Sequence, residues 1–297
     1  MKECTATDKM RIAVTGATGQ LGSDVAAELK KRGHEVFGLG SADMDITDPA
    51  SVEAVLGGIS PDAVIHCAAW TAVDAAEDAE NTEKVFAVNA GGTGNIAGVC
   101  KKLGCKMLYI STDYVFSGEG EQPWKPDCRD YSPLNRYGAS KLGGERAVAE
   151  MLEKYFIVRI AWVFGLNGKN FVKTMLNLAK THDSIRVVND QIGTPTYTPD
   201  LAVLLADMIV TDRYGYYHAT NEGGYISWYD FACEIYRLAG VHTAVIPVTT
   251  AEYGLSKARR PFNSRLDKSK LAASGFSPLP PWQDALARFL SAYLEKS

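Results

Sequence analysis

The chain has 297 residues, 46% of them apolar and 22% charged, which is ordinary globular usage and excludes a disordered, collagen-like or low-complexity chain. A net charge of −4 leaves no basic excess to hold nucleic acid or anionic lipid. No apolar run approaches the ~20 residues of a membrane span, and the polar N-terminus has no signal-peptide core. The six cysteines (Cys4, Cys67, Cys100, Cys105, Cys128 and Cys233) form no C-x-x-C pair and no zinc-type spacing. Reduced, mostly packed thiols in a soluble cytoplasmic protein of about two domains are therefore expected.

Strand and helix patterns alternate through the first 160 residues. Arg11–Thr15 is a short apolar run that stops at glycine, followed by a helical face of Leu21, Val25, Ala26 and Leu29. Glu35–Leu39 is the second strand. Asp48-Pro49 reads as an N-cap with proline at the first helical position, opening a short helix. Ala63–Cys67 is the third strand, and a long helix is predicted over about 82–103. Lys106–Ser111, a helix over Tyr137–Lys154 and a strand at Phe156–Ile160 follow. Strands this apolar have both faces covered, and the alternation implies a parallel sheet with right-handed crossovers, an α/β, Rossmann-type doubly wound fold.

After Gly165 the rhythm breaks. Helices are predicted at Asn170–Thr181, Asp200–Thr211, Ser227–Ala239 and Pro281–Lys296, and Tyr216–His218 reads as a strand returning to the main sheet. The expected organisation is a dinucleotide-binding domain over residues 1–165, with about 202–220 returning to it. A smaller, partly discontinuous substrate lobe occupies 166–297.

Gly16-Ala17-Thr18-Gly19-Gln20-Leu21-Gly22 lies directly between the first strand and the first helix. Small residues there keep the turn tight and bring backbone N–H groups at the helix start up to a pyrophosphate. The second strand ends in Leu39-Gly40-Ser41, with neither a carboxylate for ribose hydroxyls nor an arginine for a 2′-phosphate. Use of both NADPH and NADH is expected, leaning to NADPH through Ser41 or nearby helix-end bases.

Tyr137 and Lys141 are four residues apart on one helical face. A phenol of pKa ~10 needs a neighbouring cation to work as an acid–base group near neutral pH. With 14 tyrosines and 18 lysines, about one such spacing arises by chance, and Tyr253/Lys257 is a second example. Position separates them. Tyr137 follows a strand ending in Ser111-Thr112-Asp113, at the edge where ligands sit in open α/β sheets. Tyr253 lies far downstream and reads as a surface coincidence. The five histidines show no ligand spacing, so no metal site is assigned, and no G-x-S-x-G elbow is present.

The glycine turn, Thr112 and the Tyr137/Lys141 pair together resemble the extended short-chain dehydrogenase/reductase family. Cys67–Asp74, Ser111–Phe116, Ser132–Asn135, Asn189–Thr196 and Arg260–Asp267 are similar to its reductases of dTDP-linked 4-keto-6-deoxyhexoses. The resemblance covers about residue 10 to the C-terminus, with residues 1–9 an extension. It implies NAD(P)H-dependent reduction of the 4-keto group of dTDP-4-dehydro-L-rhamnose. Gly16, Thr18, Gly19, Gln20, Leu21 and Gly22 would form the cofactor turn. Asp45 and Ile46 would flank adenine, and Ala68, Ala69, Trp70 and Thr71 would line the other half of the cofactor. Thr112, Tyr137 and Lys141 would be catalytic, with Tyr137 the proton donor and Lys141 also on the ribose. Val73, Thr112, Asp113, Tyr114, Trp162 and Arg260 would meet the dTDP-sugar, Arg260 as clamp on its diphosphate.

Some relatives dimerise around magnesium through glutamates. Here Asp24 follows Gly22-Ser23, and the region around Asp200 does not match, so magnesium is left unassigned and a homodimer open. Two rivals remain: an epimerase of the same fold, and a non-catalytic regulatory subunit of the methionine adenosyltransferase type. A dehydratase would place Asp-Glu after the threonine, whereas Thr112 is followed by Asp113-Tyr114.

Overall fold

The computed structural model describes residues 9–295; the expected N-terminal extension, Cys4 and the expected helix end at Lys296 lie outside them. The first half runs β1 (Arg11–Thr15), α1 (Gln20–Lys31), β2 (Glu35–Leu39), α2 (Pro49–Ile59), β3 (Ala63–His66), α3 (Thr82–Phe86), α4 (Thr93–Leu103), β4 (Lys106–Thr112), α5 (Arg136–Met151) and β5 (Tyr155–Ile160). The second half adds β6 (Val163–Phe164), α6 (Phe171–Leu178), β7 (Ser184–Val188), β8 (Ile192–Gly193), β9 (Thr196–Tyr197), α7 (Thr198–Ile209), β10 (Gly215–His218), α8 (Trp228–Ala239) and α9 (Thr250–Tyr253).

The main sheet has the order β2-β1-β3-β4-β5-β10, and all its pairings are parallel. Its strands are apolar on both sides because both sides are covered. Ile12, Val14, Ile65, Leu108 and Val158 pack with α1 and α7 on one face. Ala13, Val64, Met107, Tyr109 and Ile157 pack with α2, α4 and α5 on the other. The chain leaves β1 toward β2 and returns to β3 on the opposite side, so the loops after β1 and β3 part there and leave a crevice at the strands' C-terminal ends. A separate core of Phe164, Val172, Met175, Phe231, Trp282 and Phe289 holds the second half together.

The helix expected over Asn170–Thr181 stops at Leu178, and two others differ from the sequence reading in ways that bear on the site. The one expected over 82–103 is broken by a π-helical stretch at Ala87–Gly92. Asn89, inside that stretch, bonds the backbone of Trp70 on both sides (Trp70 N to Oδ1, 2.8 Å; Nδ2 to Trp70 O, 3.1 Å). The extra residue per turn aims Asn89 at the loop after β3, as such bulges do near functional sites. The helix expected to reach Lys154 stops at Met151, with Leu152 already extended.

Candidate active site

Two cavities meet at the C-terminal ends of the strands. The first, about 500 Å³, is lined by Gly16, Thr18 and Gly19 after β1, by Gly40, Ser41, Asp45 and Ile46 after β2, and by Ala68, Ala69 and Thr71 after β3. Gly16 has φ +65°, and a Cβ there would stand 2.8 Å from the Ala68 nitrogen, so only glycine lets the two loops meet. Asp45 accepts hydrogen bonds from the Thr47 N–H (2.9 Å) and hydroxyl (2.7 Å), which hold its carboxyl below the usual range. Gly40 N–H donates to Asp43 (2.8 Å), which fixes the turn after β2.

The second cavity, about 650 Å³, shares Cys67, Ala69 and Thr71 with the first and extends to Phe171, Trp228 and Arg260 of the second half. Its walls carry Gln20, Leu21, Val73, Thr112, Asp113, Tyr114, Tyr137, Lys141, Trp162 and Arg260. Two expected cofactor residues are placed elsewhere. Gly22 faces the Gly16 carbonyl, where any Cβ would collide, so it closes helix against turn. Trp70 lines neither cavity: its indole N–H donates to Ala72 O (3.1 Å), and the Lys84 ammonium lies 5.6 Å over its ring.

Helix α5 begins where the sequence places a cap. Asn135 accepts from Gly138 N–H (2.8 Å), and its amide donates to Arg259 O (2.8 Å), tying the helix start to the loop that bears Arg260. Gly138 lets this first turn lie against the Tyr114 carbonyl. Tyr137 and Lys141 then share the face toward the cavity. Burial raises the Tyr137 hydroxyl well above an ordinary phenol, reinforced by the Asp113 charge and opposed by Thr112. Lys141 is buried, donates to Ile110 O (2.7 Å) and lies 4.1 Å over the Tyr109 ring. Burial brings its ammonium down to about 7 against the upward pull of Glu145.

Thr112 donates to Asp113 Oδ1 (3.0 Å) and accepts from Tyr114 N–H (3.2 Å). Asp113 is 2% exposed, and its Oδ2 has no hydrogen-bond partner. Burial pushes this carboxyl up to about 6, against the pull of the Ser264 and Thr112 hydroxyls. An unsatisfied buried acceptor on a cavity wall is a place for a ligand's hydroxyl.

Trp162 adopts a left-handed backbone (φ 52°), rare for a bulky residue. Two features that sequence reading missed hold it there. Trp228 stacks on it with ring centroids 3.7 Å apart, and Gly193 leaves room, since a Cβ there would lie 2.8 Å from Trp162 Cε2. Ser227 and Asp230 form a capping box that puts Trp228 at the first position of α8, a signal legible in the sequence although its consequence is not. Arg260 Nη2 pairs with Asp74 (2.7 Å) and Nη1 donates to the Tyr114 hydroxyl (3.3 Å). It also borders a third cavity, about 400 Å³, lined by Met175, Ile185, Val187, Gln191 and Tyr253. The start of α1 is tied to the second half of the chain through Gln20–Asn170 (2.8 Å) and Asp24–Thr198 (2.5 Å).

A glycine turn over one cavity, with Thr112, Tyr137 and Lys141 on the wall of the next, is the layout of an extended short-chain dehydrogenase/reductase. The chain belongs to the RmlD substrate binding domain family, whose model matches residues 10–295. It is 42% identical over 288 residues to dTDP-4-dehydrorhamnose reductase of Streptomyces griseus, covering 95% of this chain and 93% of that one. Spore coat polysaccharide biosynthesis protein SpsK of Bacillus subtilis is 40% identical over 280 residues, 94% of this chain and 96% of that one. The crystal structure of dTDP-4-dehydrorhamnose reductase from Bacillus anthracis in complex with NADP matches with a TM-score of 0.91 at 41% identity, over 96% of this chain and 99% of that one.

Proposed function

We propose that the chain reduces the 4-keto group of dTDP-4-dehydro-L-rhamnose to give dTDP-L-rhamnose, with NADPH as preferred cofactor and NADH also accepted. The observation that carries this reading is the convergence of Thr112, Tyr137, Lys141 and the unsatisfied Asp113 on one wall of the cavity adjoining the glycine turn. The residues present fit a dinucleotide. The bare surface at Gly16 and Gly19 admits a pyrophosphate, Asp45 and Ile46 border the adenine end, and Ser41 leaves room for a 2′-phosphate.

When bound, NADPH would supply the hydride for C4 of the sugar. Tyr137, which holds its proton at neutral pH, donates it to the C4 oxygen and later regains one from solvent. Lys141 stabilises the phenolate left behind and takes a ribose hydroxyl. The Thr112 hydroxyl orients the carbonyl oxygen, and Asp113 Oδ2 accepts a sugar hydroxyl. Trp162 gives the sugar a flat platform. Arg260 takes the diphosphate, and the third cavity beyond it holds the thymidine. Residues 166–297 thus act mainly as the substrate lobe, and 1–165 with 202–220 as the cofactor domain.

A cytoplasmic location is supported by the described cysteines, all of them free thiols, and by the absence of any described helix long and apolar enough to cross a membrane.

The test is NADPH consumption by the purified protein with the dTDP-4-keto sugar, with deuteride transfer from C4-deuterated NADPH to C4 of the sugar followed by NMR. A folded, NADPH-binding protein that consumes no cofactor, or that inverts a centre without net consumption, refutes the reading. Turnover with NADH alone refutes the cofactor assignment.

A further inference from the structure

Beneath the catalytic trio lies an ion pair that the proposed reaction does not use. Arg159 of β5 has no exposed surface and is the largest fully buried side chain among the described residues. Its Nε donates to Glu145 Oε1 (2.8 Å) and its Nη2 to Glu145 Oε2 (2.7 Å), a two-point grip. The remaining donors reach the Tyr131 hydroxyl (2.8 Å), Pro126 O (3.2 Å) and His218 Nε2 (3.3 Å). Glu145 Oε1 also accepts from the Ser111 hydroxyl (2.6 Å), so both carboxylate oxygens are held.

Such a pair is a poor source of stability. Removing two ions from water costs about as much as their attraction returns, and apolar residues of similar volume often do better. Placement suggests another use. Ser111 directly precedes Thr112 at the end of β4. Glu145 lies one helical turn after Lys141 and two after Tyr137, on the same face of α5. Arg159 precedes the Ile160–Trp162 wall by one residue. One carboxylate thus joins the three elements that carry the reacting groups.

The surroundings of Lys141 narrow its role. Around the ammonium are His66 at the end of β3, Cys67 just after it, Tyr109 of β4 and Glu145 of α5. Burial pushes Cys67 up to about 12 and His66 down to about 3, so neither is charged near neutrality. Around Glu145 stand the Arg159 cation and the phenols of Tyr109, Tyr155 and Tyr216. His218, against Arg159, is kept neutral by burial and by that cation. Glu145 is the anion of this group.

We propose that Glu145 is the fixed counter-charge of the Lys141 ammonium, and that Arg159 and Ser111 are positioning residues that hold it beneath the Thr112–Tyr137–Lys141 trio. The proposal rests on reading Lys141 as the charged partner of Tyr137 and of the cofactor ribose. Glu145→Gln keeps the shape and removes the charge, but it leaves Arg159 buried without its partner. The double variant Glu145→Gln/Arg159→Met removes both charges and avoids that penalty.

The experiment measures NADPH affinity by fluorescence and kcat on the dTDP-4-keto sugar across the neutral pH range, with thermal melting as the check on folding. In the unaltered protein both quantities should fall on the alkaline side as Lys141 loses its proton. In the folded double variant that fall should move to lower pH, by less than the roughly one to three units that loss of an opposite charge alone gives, because the Arg159 cation, farther from Lys141, leaves with Glu145. Ser111→Ala retains the charge but frees one hydrogen bond to Glu145 Oε1, and should move the fall in the same direction by less than the double variant does. A folded double variant whose fall keeps its original pH overturns the proposal, as does an unaltered protein with no alkaline fall. If the unaltered protein binds NADPH but does not turn over the sugar, the proposed reaction fails; the counter-charge still stands or falls on the affinity profile.

Discussion

Tyr137–Lys141 and Tyr253–Lys257 share a spacing and nearly a sequence, Tyr-Gly-Ala-Ser-Lys against Tyr-Gly-Leu-Ser-Lys. Their folds part at the glycine. In the first segment Asn135 caps the helix ahead of the tyrosine, and 16 residues of helix follow, so Tyr137 and Lys141 stay on one face. In the second, the Thr249/Glu252 capping box opens a helix of only four residues, and Gly254 ends it in a left-handed conformation (φ 61°). Lys257 is therefore beyond the helix, exposed, and paired with Asp78. Tyr253 is more than the surface residue expected from sequence, because it lines the third cavity. The same glycine starts one helix and stops the other. A four-residue spacing carries acid–base chemistry only where the helix persists and packing removes water from the lysine.

The sharpest way to break this comparison is to delete one hydroxyl from each segment. Tyr137→Phe should lower kcat by roughly 10²–10⁴, the usual loss for a general acid, with NADPH affinity kept because Lys141 remains. Tyr253→Phe should leave kcat as it is. Equal losses in steady-state assays would mean that helix context does not decide which pair reacts.

Next in size is Arg260→Ala, which probes the loop that Asn135 ties to the start of α5. Loss of a charge-assisted contact of ~1.5–3 kcal/mol predicts a drop of roughly 10- to 150-fold in kcat/KM for the sugar nucleotide. NADPH affinity should be unaltered, and a variant that loses mainly cofactor binding would place the clamp elsewhere.

Asp113 sharpens the electrostatic side. Its folded carboxyl holds its proton up to about 6, whereas a free aspartate releases it near ~4. Between those values the folded chain binds more protons than the unfolded one, so stability falls as pH rises through that window. Asp113→Asn removes the fall and should be more stable by about 3 kcal/mol near neutral pH, with no gain below pH ~4. Identical pH dependence of melting in the two proteins would contradict a buried, unsatisfied carboxylate.

The smallest effect concerns the platform. Trp228→Leu removes the stack behind Trp162, worth ~0.5–1.5 kcal/mol, and should raise KM for the sugar nucleotide roughly two- to tenfold with kcat nearly kept. A change in NADPH affinity instead would show that Trp228 serves the other cavity.

The sequence by itself determined the elements that depend on neighbours in the chain. Apolar runs bounded by glycine became the parallel strands, Asp48-Pro49 capped its helix, and the glycine turn fell between β1 and α1. Tyr216–His218, read as a returning strand, pairs with β5. Local geometry suffices for these, because strand alternation, capping and tight turns are set within a few residues. Tertiary structure decided what depends on distant partners. The π-helical break at Ala87–Gly92 follows from Asn89 gripping Trp70, and Trp70 itself turns out of the cavity expected for it. Trp228, Gly193 and Asp74 meet their partners from segments tens of residues away, and the Arg159–Glu145 pair joins a helix to the next strand, so no spacing announces these contacts. Whether a polar side chain is buried, and against which charge, is a property of packed neighbours, so the electrostatics of Lys141 and Asp113 exist only once the sheet, α5 and the lobe have closed around them.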